Sequence, residues 1–457
     1  MGRRRGRLAD LTSSLTLRGG CLVAAGVTLV LLGAVLGERS LVQIALFVLA
    51  LPALAAVGVV RARFRLASRR TVTPSRLPRG QDAEVLLEVT NTDRRPGGLW
   101  AMSEQLPADL GPRPRFLVER LPSGATAALR YRVHGARRGR LPLGPLRLRL
   151  VDPFGLVLRT TSGVDTATLL VVPRVRPLAT VALSGGAGGG AAGARRSLAV
   201  HGEDDVSTRE YRRGDDLRKV HWRATARTGE LMVRLEEKPW RSSATLLVDT
   251  RQRAHVLGGA LTSGPPGDPA PPPDTLEWVV EAAASIGDHL LAAGADLRVL
   301  TDTGELPGGG PHGAADRAGL AEALAGVTAS RATDLETALQ ALRRGADGGP
   351  LVCLLAAVTP EDVTALVRAR SGPGSDVAVL VNVPAWHDAT ARGGAGRRYA
   401  LAPGARVRLV QEQEQAAGLL RAAGWRVVTA GPQDAVETVW SRVGAAATGG
   451  AGRAVPA

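Results

Sequence analysis

Two uninterrupted apolar runs, residues 20–37 (GCLVAAGVTLVLLGAVLG) and 41–60 (LVQIALFVLALPALAAVGVV), stand near the start of this chain with only Glu38, Arg39 and Ser40 between them. Each is close to the ~20 residues an α-helix needs to cross a hydrocarbon core. Backbone polar groups inside a bilayer must be satisfied within their own segment, so two runs joined this tightly predict a helical hairpin. Arg3, Arg4, Arg5, Arg7 and Arg18 precede the first run, and Arg61, Arg63, Arg65, Arg69 and Arg70 follow the second. The positive-inside bias then puts both flanks in the cytoplasm. A cleaved secretory signal ending at the Ala53-Leu54-Ala55 triplet is the competing reading, but it requires two apolar regions split by charges and translocation of a dense Arg cluster. Gln43 and Pro52 are read as helix-contact and kink positions.

The formal charge is +16, which would ordinarily suggest phosphate neutralisation and a nucleic-acid partner. Residues 1–70 carry eleven Arg against Asp10 and Glu38, a local +9, and leave +7 for the other 387 residues. No basic stripe interleaved with aromatics is present, so no nucleic acid is expected. Lys occurs only as Lys219 and Lys238, a skew that fits a GC-rich genome. The two cysteines, Cys21 and Cys353, fall in unlike surroundings, and the seven His are scattered. Neither a disulfide framework nor a zinc spacing follows, and a reducing compartment is expected.

After the Arg-rich N-terminus (1–19), the two transmembrane helices (20–60) and a basic neck (61–70), the period changes to two across 71–178. Stretches such as AEVLLEV (83–89), LRYRV (129–133) and LRLRL (146–150) alternate apolar and polar residues, with turns at 78–80, 91–93, 96–98, 122–124 and 152–155. About seven short half-buried strands predict a β-sandwich of immunoglobulin-like type without a disulfide. A Gly/Ala-rich linker follows at 179–200, its core SGGAGGGAAGA at 184–194. From 239 to 444 strands and helices alternate: strands at 244–248, 296–300, 351–356, 376–381 and 425–429, and helices at 275–293, 314–327, 335–344, 360–369, 413–423 and 435–443. That alternation predicts an α/β layer with a mainly parallel sheet. The insert 263–273 and the tail 445–457 are expected to be disordered.

Between linker and α/β layer, residues 201–238 pack eighteen charged groups around Tyr211, Gly214 and Trp222. Arg209, Glu210, Tyr211, Gly214, Asp215, Asp216, Arg218, Val220, Trp222, Ala226 and Arg227 stand at the spacing R-E-Y-x-x-G-D-D-x-R-x-I-x-W-x-x-x-A-R. This pattern resembles the signature of the bacterial family called domain of unknown function 58, here of actinobacterial type. The stretch RLPLGPLRLRLVDPFGL (140–156) resembles the segment that precedes the signature in that family, and by itself reads as two strands and a turn. The acids Glu210, Asp215 and Asp216, with His221, could supply an acid–base pair. Arg209, Arg212, Arg213, Arg218, Arg223 and Arg227 in the same segment could instead brace them, which favours a structural or docking role. Gly214 is expected to permit a turn, and Trp222 to bury against the sheet.

Ligand crevices of open α/β sheets lie at the carboxyl ends of the strands, and Asp249 in LLVDTRQ is the first such end. Its placement resembles the von Willebrand factor A fold, in which D-x-S-x-S opens a divalent-metal adhesion site. Arg251 and Arg253 replace the two Ser, and a guanidinium cannot ligate a cation. Asp249 is therefore read as a degenerate remnant of a metal site, a structural carboxylate paired to a nearby Arg. Asp302 and Thr333 are further remnants, and no metal, cofactor or catalytic residue is assigned. Neither a G-x-x-x-x-G-K-[ST] phosphate loop nor a G-x-S-x-G elbow is present. The fold class read from the sequence is thus a membrane α-hairpin, an all-β sandwich and a von Willebrand factor A-like α/β domain. The function read from these features is a membrane-anchored, non-enzymatic interaction or adaptor protein, and the family resemblance implies a MoxR-type AAA+ ATPase as its partner in a chaperone-like or envelope-associated assembly. A metal-dependent hydrolase using Asp215, Asp216 and His221, and a structural protein of cell-envelope assembly, stay open as alternatives.

Overall fold

Residues Leu17–Leu36 form helix α1 and Arg39–Arg61 form α2. The Thr16 hydroxyl caps α1 by accepting from the Gly19 amide at 3.2 Å, and Gly37 closes it at φ 69°, a conformation only glycine takes without a Cβ penalty. The buried positions of α1 are Gly19, Gly26 and Gly33, seven residues apart. A Cβ at Gly26 would stand 2.6 Å from Leu49 Cγ, and one at Gly33 2.9 Å from Val42 Cγ2. Glycine on this face is what lets α2 come close, the usual device where apolar solvent supplies no hydrophobic drive between helices. Both helices are long and apolar enough to cross a membrane.

The computed structural model describes residues 15–61, 66–94, 100–119, 121–152, 154–163, 165–181, 183, 208–210, 222–234, 243–257, 274–307, 316–345, 349–370, 376–392 and 401–449. It divides into two units, Met1–Val172 and Pro173–Ala457. The linker core 184–194 and the insert 263–273 lie outside the described residues.

In the first unit ten strands follow the hairpin: β1 (Leu66–Thr73), β2 (Arg76–Pro78), β3 (Asp82–Asn91), β4 (Trp100–Glu104), β5 (Arg115–Val118), β6 (Thr126–His134), β7 (Gly139–Leu143), β8 (Leu146–Val151), β9 (Leu158–Ser162) and β10 (Ala167–Val172). They form sheets β1-β3-β6, β2-β10-β7 and β5-β4-β8-β9. One core joins all three, with Val85, Leu87, Met102, Val133, Leu148 and Val171 among its buried members. Alternation is plain in β3, where every second residue from Ala83 to Asn91 is buried. Inside lies one ion pair, Arg70 Nε to Glu104 Oε1 at 2.7 Å, with both side chains almost fully buried. Of the basic neck expected at 61–70, residues 62–65 lie outside the described residues and the rest belongs to regular elements. Arg61 ends α2, and 66–70 already belong to β1, where the ladder to β3 gives the backbone its hydrogen bonds.

The turn between β8 and β9 docks on the base of the hairpin. Oδ1 of buried Asp152 accepts from the Leu156 and Val157 amides, both at 2.6 Å, and Oδ2 accepts from Phe154 at 2.9 Å. The tightened turn presents the Leu156 carbonyl to the Thr16 amide at 2.9 Å and the Gly155 carbonyl to the Thr16 hydroxyl at 2.6 Å. Leu156 and Val157 pack with Ala55 and Val59 of α2. The DPFG turn is thus a turn, as its sequence indicates, and also the contact between sandwich and hairpin.

The second unit is built on β13 (Ser243–Val248), β14 (Asp296–Thr301), β15 (Gly304–Glu305), β16 (Leu351–Leu355), β17 (Val377–Val381) and β18 (Arg426–Ala430), in the order β15-β14-β13-β16-β17-β18. All pairings are parallel except that of the short edge strand β15. Strands β16 and β17 are continuous apolar runs, and β13 is buried from Ala244 to Val248, because helices cover both faces. Leu246, Val352 and Val379 face a core shared with α4 (Thr275–Ala292), α5 (Arg317–Ala325), α8 (Val383–Arg392) and α10 (Val436–Gly449). Leu247, Cys353 and Leu380 face a second core shared with α6 (Glu336–Arg344), α7 (Pro360–Ala369) and α9 (Pro403–Ala422).

Some expected boundaries move. The sandwich ends at Val172 rather than 178, because Leu178 and Val181 pack on the α/β core, and the Ala179 carbonyl accepts from Trp440 Nε1 at 3.0 Å. Helix α10 continues past Gly444 to Gly449, so the first five residues of the expected tail are helical. Helix α8, absent from the sequence reading, starts one residue after β17, with Asn382 Oδ1 accepting from the Ala385 amide at 3.0 Å.

Candidate functional site

In the second unit, ahead of the six-stranded sheet in sequence, β11 (Thr208–Glu210) pairs antiparallel with β12 (Met232–Arg234), and α3 (Trp222–Thr228) lies between them in sequence. The register sets Arg209 opposite Val233 and Glu210 opposite Met232. The Thr225 hydroxyl accepts from the Met232 amide at 3.0 Å, tying α3 to the returning strand. Trp222, expected to bury against the sheet, is 72% exposed. It occupies the first position of a seven-residue helix, and no element covers that turn among the described residues. Arg227, in the last turn of α3, is exposed, where a cation complements the helix carbonyls. Tyr211, Gly214, Asp215, Asp216, Arg218 and His221 lie outside the described residues.

The network that the structure does bring together lies at the carboxyl edge of the six-stranded sheet, directly after β13. Asp249, fully buried, receives Arg251 Nε on Oδ1 and Arg251 Nη2 on Oδ2, each at 2.9 Å. The guanidinium continues through Nη1 to Asp362 Oδ2 at 3.0 Å. Asp362 belongs to the capping box that opens α7, where Thr359 and Asp362 exchange side-chain-to-amide hydrogen bonds. Burial opposes the charge on Arg251, but the hydrogen bonds and Coulomb attraction of Asp249, and then of Asp362, outweigh it and hold the guanidinium protonated above its ordinary range. One cation between two carboxylates, in forked geometry, is the arrangement for which Arg is suited and Lys is not.

A second layer supports the first. The Thr250 amide and hydroxyl donate to Asp302 Oδ1 at 2.7 and 2.6 Å, and the Ser330 hydroxyl donates to Asp302 Oδ2. Backbone bonds Ser330 N to Thr250 O and Gln252 N to Ser330 O, both 2.8 Å, extend the pairing past the end of β13. Buried His255 places Nε2 2.8 Å from the Asp249 carbonyl and Nδ1 3.0 Å from the Thr275 hydroxyl. A carbonyl only accepts, so Nε2 carries a proton. Burial pushes the pKa of His255 down, against the attraction of Asp249.

These residues do not fit a divalent-metal adhesion site. Both oxygens of Asp249 are taken by Arg251, and the Thr250 and Ser330 hydroxyls are spent on Asp302. The guanidinium stands between the Asp249 and Asp362 carboxylates. Thr333 takes no part in the network: it is exposed and donates to Asp334 at 3.2 Å. Arg253 is exposed as well. Sequence reasoning did not reach Asp362, which is 111 residues from Arg251. Its one signal was the Thr359-Pro360-Glu361-Asp362 pattern of a helix start after a buried strand.

Residues 207–388 match the model of the family described as "Protein of unknown function DUF58". The match runs from the start of the signature ladder to α8 and includes the Asp249–Arg251–Asp362 bridge. No curated protein matches the chain. Among solved structures, the Pseudomonas fluorescens alkylpurine DNA glycosylase AlkC is 14% identical, with 30% of this chain and 40% of that chain covered and a TM-score of 0.18. An ApaA protein from Bordetella pertussis is 12% identical, covering 24% of this chain and 94% of that chain, also at 0.18. A Listeria innocua beta-glucosidase is 14% identical, covering 24% and 16%, at 0.15. At these scores the likeness transfers neither fold nor activity to this chain.

Proposed function

We propose that the chain is a membrane-anchored, non-enzymatic adaptor that presents its α/β layer and signature segment to a partner protein. The single observation that carries this reading is the Asp249–Arg251–Asp362 bridge: the edge where such sheets bind ligands is held by the chain's own buried cation. An edge braced in this way offers a fixed surface rather than an open coordination position. The strand order β15-β14-β13-β16-β17-β18 with one antiparallel edge strand supports a von Willebrand factor A-like layer, and the three sheets around one core support an immunoglobulin-like sandwich. The Arg skew supports a GC-rich, actinobacterial-type source. Two apolar helices with Arg on both outer flanks support a hairpin anchor with the bulk of the chain in the cytoplasm.

For the partner we propose a MoxR-type AAA+ ATPase, on the resemblance of the signature segment. The test is co-purification of the full chain from detergent-solubilised membranes with and without ATP, comparing wild type with Asp215→Ala and Arg218→Ala once each variant is seen to fold. A nucleotide-sensitive ATPase lost in both variants is the expected result. Recovery of no ATPase by wild type under either condition would move an envelope-structural role ahead. Divalent-dependent hydrolysis lost in Asp215→Ala would establish the hydrolase reading instead.

A further inference from the structure

The outer face of the sheet β5-β4-β8-β9 carries a groove of ≈ 420 Å³ walled by Arg113, Arg115, Arg147 and Arg149, with Phe116 and Leu117 beside them. The ladder explains the crowding. Arg115 and Arg147 both pair across Ser103, and Leu117 and Arg149 both pair across Ala101. Side chains of paired residues share a face, so small Ala101 and Ser103 make a floor between two basic walls about 10 Å apart, twice the strand spacing. No acid lines the groove, and none of the four Arg has a carboxylate partner among the described residues. Like charges set this close on one sheet face oppose each other unless an anion lies between them. Elsewhere in the sandwich Arg130 pairs with Glu84 and Arg70 with Glu104.

One wall of the groove, strand β8, leads towards the base of the hairpin. Strand β8 runs from Leu146 to Val151 straight into the turn whose Gly155 and Leu156 carbonyls hold Thr16. Along an extended strand Arg149 lies about 10 Å and Arg147 about 17 Å from Asp152. On the same turn Phe154 is 65% exposed, an apolar ring at the level where α1 begins and α2 ends. The potential of an anionic leaflet acts over a Debye length of about 8–10 Å, so Arg149 lies at its reach from the turn.

We propose that this sheet face, with Phe154 at its membrane end, binds the anionic phospholipid headgroups of the bilayer that holds α1 and α2. The inference rests on the membrane-anchor reading. The forks of the four Arg take phosphate oxygens, and Phe154 enters the interfacial layer. Lipid composition then sets how firmly the sandwich lies against the membrane.

The test uses the full chain in nanodiscs of phosphatidylcholine alone and of phosphatidylcholine mixed one-to-one with phosphatidylglycerol, read by amide hydrogen exchange. The expected result is slower exchange over 101–105, 115–118 and 146–151 in the mixed discs only. That protection is lost at 1 M salt, where the screening length is about 3 Å. It is also lost in Arg147→Gln/Arg149→Gln and kept in Arg132→Gln/Arg137→Gln, a charge-matched change at exposed Arg elsewhere. Equal exchange in both discs would overturn the lipid site while leaving the anchor intact. Protection by millimolar inorganic phosphate in phosphatidylcholine discs would reassign the groove to a soluble anion and overturn the lipid assignment. A chain retained in neither disc would overturn the anchor and the lipid site together.

Discussion

Arg251 grips Asp249 with two prongs, Nε on Oδ1 and Nη2 on Oδ2, both at 2.9 Å, and neither side chain reaches solvent. Because Nη1 goes on to Asp362, the first strand end of the sheet and the start of α7 are locked by one guanidinium. Arg251→Ser, which restores the hydroxyl of a metal-site pattern, leaves two carboxylates facing each other without a cation. The expected loss is about 3–5 kcal/mol, the cost of breaking a buried pair from one side. Arg251→Lys, a single point charge without the fork, is expected to lose less than the Ser variant. Urea unfolding of the full chain in detergent measures both.

In the sandwich, Glu104→Gln keeps the shape of the side chain and removes the charge that Arg70 meets at 2.7 Å. With both groups almost fully buried, the variant is expected to lose about 3–5 kcal/mol. Thermal scans that follow the near-ultraviolet signal of the buried Trp100 and Tyr131 would detect it.

His255 gives the α/β layer a pH dependence of definite sign. Its folded pKa lies below the unfolded value of about 6.5, because burial disfavours the imidazolium. Below that pH the unfolded chain binds a proton that the folded chain refuses, so stability is full above about pH 6.5 and falls as the pH drops towards the folded pKa. The slope from this group is at most about 1.4 kcal/mol per pH unit. His255→Gln removes that part of the slope, and denaturation midpoints at pH 5 and 7.5 compare the two chains.

The glycine face of α1 predicts a contrast between neighbouring positions. A side chain at Gly26 collides with Leu49, whereas one at Gly20 meets nothing within 4 Å. Gly26→Leu is expected to cost about 1–3 kcal/mol through overpacking. Gly20→Leu is expected to be neutral. The fraction of chain left monodisperse in detergent after heating separates the two.

Much of this architecture is legible in the sequence because period and punctuation are local. The apolar runs mark α1 and α2, alternation marks β3 and β6, and Thr359-Pro360 marks the start of α7 at the residue where it begins. What was not legible depends on contacts distant in sequence. Nothing local says that Asp362 meets Arg251, or that Ser330 rather than Thr333 supplies the hydroxyl at Asp302. Helix α8 was missed because its single-residue approach through Asn382 leaves no loop to announce it, although Asn382 and Pro384 are ordinary start signals. Trp222 misled because a large aromatic argues for burial only where another element lies over it, and α3 leaves it 72% exposed.

The guanidinium of Arg251 occupies the space between Asp249 and Asp362, so this sheet edge is expected to take no divalent ion. Thermal unfolding of the full chain in detergent, after chelation and then with Mg²⁺ or Mn²⁺ titrated to millimolar concentration, tests it most directly. A ligand that binds only the folded state raises the midpoint as its concentration passes Kd. The account predicts no saturable rise in the wild type. A saturable rise that Asp249→Asn abolishes would contradict it.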